Sequence, residues 1–306
     1  MSTTSVGLIG LGAMGSGMAA SLRRAGHKVH VFDVRRDMAQ AFAKEGGVAH
    51  DSLVSLGAAC DVIISVVVNA AQTESVLFSD GTAPGNAAGC AASMKPGSVF
   101  VMCSTVDPNW SVAVETRLEA MGLQYVDAPI SGGAAKAASG QMTMMTAGKP
   151  APYAMAEPFL KAMAAKVYKL GDSAGAGSKV KIINQLLAGV HIAAAAEAMA
   201  LGLREGVDPN ALYEVITNSA GNSWMFENRM AHVLAADYTP LSAVDIFVKD
   251  LGIVLDMARA SKFPLPLSST AHQMFMQAST AGFAKEDDSA VIKIFPGIEL
   301  PKASAK

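Results

Sequence analysis

Short apolar runs punctuate the first half of the chain. Val6–Ile9, His27–Phe32, Val62–Val67, Val99–Cys103 and Leu123–Asp127 read as strands. Ser16–Arg24, Asp37–Lys44 and Trp110–Met121 carry a helical pattern between them. Such alternation predicts βαβ units and a parallel sheet buried on both faces. Met142–Ala147 is expected as a further strand at the far edge of that sheet. After about Gly171 the period changes. Ser178–Glu205 reads as one long helix, followed by Asp208–Asn218, Ser223–Ala235, Ala243–Ala260 and Pro266–Ala281. Pro209 suits a first helical position, where its missing N–H costs nothing, and Gly206 suits a C-terminal cap. The expected class is α/β, with a parallel-sheet domain over residues 1–171 and an all-α domain over 172–306. The long helix begins near their junction.

Composition narrows what such a chain does. Charged residues make up 16% and the net charge is −2, so no basic surface is expected to grip nucleic acid. A 51% hydrophobic content is enough for a large core and excludes global disorder. The apolar run Val62–Thr73 is interrupted by Ser65, Asn69 and Gln72, and Ile182–Ala196 carries Asn184, Gln185 and His191. Neither is expected to span a membrane. The N-terminus lacks a basic region and a small-residue cleavage site, so no signal peptide is expected. Cys60, Cys90 and Cys103 have no metal-ligand spacing and are odd in number. They point to reduced thiols, a cytoplasmic protein and no metal.

Gly10, Gly12 and Gly15 form a G-x-G-x-x-G sequence after the first predicted strand and at the start of the first predicted helix. That context makes the motif a Rossmann-type dinucleotide fingerprint. Gly10 allows the tight turn, Gly12 lets a pyrophosphate reach the backbone, and Gly15 lets the helix pack against the sheet. The helix N-terminus then offers N–H groups to the anion. Asp33 ends the second strand, where a carboxylate bonds the adenosine ribose hydroxyls and repels a 2′-phosphate. NAD is therefore expected over NADP, although Arg35 and Arg36 follow closely. Val68 with Asn69, and Ser104 with Thr105, fall at strand carboxyl ends. They are either crevice contacts or ordinary strand-to-loop polarity.

Four blocks in this order resemble the β-hydroxyacid dehydrogenases, a family that includes 3-hydroxyisobutyrate dehydrogenase and tartronate semialdehyde reductase. They are Gly7–Met18 with Asp33; Asp127–Gly133, continuing to Gly140; Gly175–Gly177 through Gln185; and Phe247–Leu251. The resemblance implies that Ala13, Met14 and Thr105 join the glycines, Asp33, Val68 and Asn69 as cofactor contacts. Ser131, Gly132 and Gly133 would cradle the substrate carboxylate with a hydroxyl and backbone N–H groups, as a tight turn of two glycines can. Lys181 would be the catalytic residue. It shares a helical face with Asn184, Gln185 and Ala188, on a helix otherwise rich in Ala, Ile and Leu. Asn184 and Gln185 would position the substrate; some family members have Asn at both places. Lys249 would approach nicotinamide and substrate, and Asp250 either orients it or caps local structure. Homodimers or homotetramers are implied, with Val190–Leu203 as a surface for a partner copy.

The substrate is expected to be a small hydroxyacid. Ala220–Arg229, with Ile183–His191 and Ser242–Phe247, looks most like the branch that oxidises a four-carbon sugar acid, L-threonate, at C2 with NAD. Asn222, Ser223, Asn228 and His191 are candidates for its hydroxyls, with His191 more at home as a core or interface residue and Trp224 as either packing or a cleft wall. The rival substrates are tartronate semialdehyde and 3-hydroxyisobutyrate. Imine reductases share the architecture but usually lack the lysine. A non-catalytic NAD-binding sensor would have no use for Lys181, Asn184, Ser131 and Lys249 together.

Overall fold

The computed structural model describes residues 4–79 and 88–302. The chain divides into two compact units, Met1–Lys181 and Ile182–Lys306.

In the first unit, strands β1 (Val6–Ile9), β2 (Val29–Phe32), β3 (Val48–Ala49), β4 (Val62–Ser65), β5 (Val99–Met102) and β6 (Gln124–Asp127) form an all-parallel sheet in the order 3-2-1-4-5-6. Helices α1 (Gly15–Arg24), α2 (Arg36–Lys44), α3 (Leu53–Ala59), α4 (Ala70–Phe78) and α5 (Pro108–Ala120) alternate with these strands. Side chains alternate between two cores, as the two-residue strand period requires. Leu8, Val31, Ile64, Val101 and Val126 pack into one with Met18 and Leu22 of α1. Ile9, Phe32, Ile63, Phe100 and Met102 pack into the other with Leu56 of α3 and Leu118 of α5. Ile9, Phe32, Ser65, Met102 and Asp127 lie in one row of the register. The loops that follow them therefore leave from the same sheet edge, on either side of the point where strand order reverses. Ligands of open α/β sheets bind there.

A second, three-stranded sheet follows: β7 (Ile130–Ser131), β8 (Met142–Thr146) and β9 (Ala164–Lys169), in the order 7-8-9. It corrects the expectation for Met142–Ala147. That segment pairs antiparallel with β7 and parallel with β9, and is joined to the large sheet by the isolated Asp127–Ala147 bridge. The connection after β6 is too short for a parallel crossover, so the chain turns back on itself. Between these strands lie α6 (Gly133–Ser139) and α7 (Pro150–Met163). The sequence pattern missed both, along with α3, α4, β3, β7 and β9. The helices are short and Ala-rich, or hold prolines in the first turn and at Pro158. Gly17 lets α1 approach α6 closely, since a Cβ there would sit 2.5 Å from the backbone nitrogen of Ala138.

Helix α8 (Ala176–Arg204) carries the chain into the second unit. By length and composition it could cross a membrane, yet half of its apolar window is buried in the fold. Helices α9 (Pro209–Thr217), α10 (Trp224–Ala235), α11 (Val244–Ala260) and α12 (Pro266–Ala278) complete that unit. Gly206, at φ +77°, ends α8 as expected of a left-handed cap. Ile192, Ala196 and Met199 of α8 share a core with Phe247 and Leu251 of α11 and Phe275 of α12. Phe247 and Phe275 stack with centroids 5.1 Å apart. Buried Arg229 donates to both oxygens of buried Asp288, and His232 meets Asp287 at 3.0 Å.

Candidate active site

The glycine loop comes first among the candidate residues of the first unit. Gly10 has φ +94° and donates its N–H to the Phe32 carbonyl at 2.9 Å. A Cβ at Gly15 would lie 1.8 Å from the Gly10 carbonyl oxygen. The third glycine is thus required first by the loop itself, and only then by the approach of helix to sheet. A Cβ at Gly12 meets nothing within 4 Å, so backbone there faces open space. Gly12 and Ala13 are exposed and Met14 is half-buried. Open backbone at the start of α1 fits a dinucleotide pyrophosphate.

Asp33 is held by that loop. Its Oδ2 accepts the Leu11 N–H at 2.6 Å, and its Oδ1 accepts the Arg35 N–H at 2.8 Å. Each carboxylate oxygen has a further lone pair, which fits a ribose diol. Arg35 Nε lies 3.6 Å from the same carboxylate. Along the edge, Asn69 caps α4 by accepting the Gln72 N–H at 2.8 Å, and Val68 is exposed. Ser104 donates to the Val67 carbonyl at 2.7 Å and meets Thr73 at 3.0 Å. This polar tie joins the loops that carry Val68, Asn69 and half-buried Thr105. Asn69 and Ser104 thus have local partners, while Val68 is exposed and Thr105 half-buried beside them.

Ser131 ends β7, and Gly132 and Gly133 have φ of +135° and +74°. Two successive left-handed residues let backbone N–H groups converge, as an anion cradle needs. Lys181 stands at the end of this unit, in the second turn of α8, with 7% of its surface exposed. It is buried, against the tendency of lysine.

The second unit carries a continuous polar chain. The Asn184 side-chain amide donates to Gln185 Oε1 at 3.1 Å, and Gln185 Nε2 donates to Asp250 Oδ2 at 2.6 Å. Asp250 Oδ1 lies 2.6 Å from the Lys249 ammonium. Asp250 is 1% exposed. It answers the alternatives left by the sequence, for it sits mid-helix in α11 and caps nothing. It fixes both the Gln185 amide and Lys249. No spacing rule joins residues 185 and 250, so this link was invisible in the sequence.

The outlying candidates have local partners. Ser223 caps α10 by accepting the Phe226 N–H at 3.0 Å, Asn228 accepts from Arg229, and Asn222 donates to the Thr217 carbonyl at 3.1 Å. His191 is half-buried on α8. Trp224 is 53% exposed and lines a shallow cavity of about 320 Å³ with Asn228, Tyr213 and His232, apart from Lys249 and Asp250. Among the described residues no cluster of His, Cys, Asp or Glu could hold a metal.

A sheet of order 3-2-1-4-5-6 with this loop and acidic strand end defines an α/β dinucleotide-binding protein. The family model for the NAD-binding domain of 6-phosphogluconate dehydrogenase matches residues 5–171. The model for the NAD-binding domain of NADP-dependent 3-hydroxyisobutyrate dehydrogenase matches residues 175–295. An L-threonate dehydrogenase of Cupriavidus necator is 66% identical, over 97% of this chain and 97% of its own. The mitochondrial 3-hydroxyisobutyrate dehydrogenase of Mus musculus is 32% identical, over 95% of this chain and 87% of its own. A crystal structure of 3-hydroxyisobutyrate dehydrogenase from Salmonella typhimurium superposes with a TM-score of 0.90 at 51% identity, covering 96% of this chain and all of that one. The chain belongs to the 3-hydroxyisobutyrate dehydrogenase family of NAD-dependent hydroxyacid dehydrogenases.

Proposed function

We propose that this enzyme oxidises L-threonate at C2 to 2-dehydro-L-erythronate, with Lys181 as the base that takes the hydroxyl proton. The observation that carries the substrate is the 66% identity, along nearly the whole chain, to a protein named for that reaction. The observation that supports the base is a buried lysine in the second turn of α8. The uncharged amine is the form that accepts a proton. Bound NAD⁺ supplies the hydride acceptor. The substrate loses the C2 hydrogen with its electron pair and the hydroxyl proton, and a keto acid results. Lys181 holds that proton as an ammonium ion and returns it to the nascent alkoxide in the reduction direction.

Gly10, Gly12, Ala13, Met14 and Gly15 hold the pyrophosphate in this reading. Asp33 holds the adenosine ribose and sets the preference for NAD over NADP. Val68, Asn69, Thr105 and Lys249 complete the cofactor contacts. Ser131, Gly132 and Gly133 take the substrate carboxylate, and Asn184, Gln185 and Lys249 place its hydroxyls. Val180, Ile183, Leu187 and Leu201 are exposed apolar residues on α8. The expected partner surface, Val190–Leu203, instead gives Ile192, Ala193, Ala195, Ala196, Met199 and Ala200 to the second unit's own core, so it is these exposed residues that we place at an interface between copies, in a homodimer or homotetramer. Three free, buried thiols suit the cytoplasm.

The test follows NAD reduction with L-threonate, D-threonate, the erythronates, glycerate and 3-hydroxyisobutyrate, with Lys181→Ala beside the unaltered protein. Turnover on L-threonate that is lost in the variant supports both substrate and base. Faster turnover on 3-hydroxyisobutyrate than on any sugar acid refutes the substrate. A variant that keeps full turnover refutes the base.

A further inference from the structure

Asp127 ends β6 with no exposed surface, and the mechanism above makes no use of it. A carboxylate at that depth needs several donors, and it has them. Its Oδ2 accepts the N–H groups of Gly175 and Ser178, both at 2.9 Å, and its Oδ1 accepts the Ser178 hydroxyl at 2.7 Å. These donors belong to the first turn of α8 and the residue before it, where four N–H groups have no partner within the helix. The backbone of Asp127 is committed as well. Its N–H and carbonyl exchange hydrogen bonds with Ala147 at 2.9 and 2.8 Å. One residue thus ties the large sheet, the small sheet and the start of α8 together. The seat is tight. A Cβ at Gly177 would lie 2.4 Å from the Met145 carbonyl, and one at Gly175 would lie 3.1 Å from the Pro108 carbonyl. Buried Glu115 of α5 adds a contact to the Ala174 N–H at 3.3 Å.

Lys181 comes three residues after Ser178, on the same helical face and about 4.5 Å further along the axis. We propose that Asp127 is the positioning residue for Lys181: its carboxylate seats the first turn of α8 and so sets where the amine one turn on is presented. Asp127 itself touches no substrate. The idea rests on the reading of Lys181 as the base. A misplacement of about 1 Å in a catalytic group costs on the order of 100-fold in rate. The cofactor loop hangs from β1 and β2 instead, so its affinity is independent of this anchor.

Asp127→Ala, Asp127→Asn and Ser178→Ala are compared with the unaltered enzyme and with Lys181→Ala, alone and combined with Asp127→Ala. The readouts are kcat, KM for the hydroxyacid, NAD affinity by fluorescence titration, and melting temperature. Asp127→Ala is expected to lower kcat by about 100-fold, while KM and NAD affinity change by less than about threefold. Asp127→Asn keeps an acceptor for both N–H groups and is expected to recover about tenfold of the loss. In the Lys181→Ala background, Asp127→Ala should cost less than about threefold more, because residues that act as a unit are not additive. A folded Asp127→Ala enzyme with kcat within about threefold of normal overturns the proposal, as does an undiminished loss in the Lys181→Ala background. Should Asp127→Ala not fold, Asp127→Asn and Ser178→Ala decide by the same split between kcat and KM. Full turnover by Lys181→Ala would instead refute the base itself, a different failure from a silent Lys181→Ala beside an active Asp127→Ala.

Discussion

Replacing Gly15 by alanine separates the architecture of the cofactor loop from its chemistry. The new Cβ would start 1.8 Å from the Gly10 carbonyl oxygen, where separations below 3.0 Å are essentially never seen. Loop and helix must part by about 1.2 Å to restore that separation. The opposing atom is backbone, so no side-chain rotation relieves it. Hydrogen bonds of about 2.9 Å from the α1 N-terminus to a phosphate do not survive such a shift. Each charge-assisted bond contributes about 1.5–3 kcal/mol, so losing one or two weakens NAD binding by about 3 kcal/mol, or roughly 100-fold. The melting temperature should fall too, because the Gly10 turn is anchored on β2. Gly12→Ala is the control. Its Cβ meets no protein atom within 4 Å, so stability should hold while cofactor affinity falls. Calorimetric titration with NAD and thermal melting read both variants. If Gly15→Ala binds NAD within about threefold of normal and melts unchanged, the loop is not a rigid cradle.

Further outcomes follow from other parts of the molecule. Asp250→Asn removes the charge that fixes Lys249 at 2.6 Å and should raise KM for the hydroxyacid about tenfold, the scale of one charge-assisted hydrogen bond; an unchanged KM would separate Lys249 from substrate binding. His30 Nδ1 meets His50 Nε2 at 2.8 Å, and burial first, then for His30 its neighbour's charge, holds both imidazoles below the ordinary value of 6.5. Their contribution to stability is therefore complete above pH 6.5 and lost as pH falls through the folded values; melting temperature should drop on acidification, and His50→Gln should flatten that drop. Burial pushes the thiols of Cys60 and Cys90 up to about 12, and that of Cys103 higher still. No thiol should react with a disulfide reagent in the native protein at pH 8 and all three should react once it is denatured; rapid native labelling would contradict the packing.

How much could be read before the structure was known depended on whether the information was local. The strand Val6–Ile9, the turn at Gly10 and the acidic residue Asp33 form one contiguous βαβ unit, and apolar period, left-handed turn and helix start all agree there. Helix α8 was equally plain, because its 29 residues are rich in Ala and Leu and hold no Pro. Lys181, Asn184 and Gln185 shared a helical face by spacing alone. Elements without a period of their own were lost. α6 is a seven-residue, Ala-rich helix held by the close approach of Gly17, 116 positions before its first residue. Met142–Ala147 had a strand's pattern but no mark of which sheet it would join, since a strand's partner is set by the chain's path and not by its composition.

The sequence by itself determined the parallel alternation, the nucleotide fingerprint and the helix that bears Lys181, because each is a pattern within a few tens of residues. Only the tertiary structure decided what holds the site in place. Asp250 meets Gln185 across 65 positions, and Asp127 meets Ser178 across 51. Both are buried carboxylates whose sequence-distant partners are an amide, a hydroxyl and backbone N–H groups. Such groups carry no periodic signature, and burial makes their pairing obligatory without making it local.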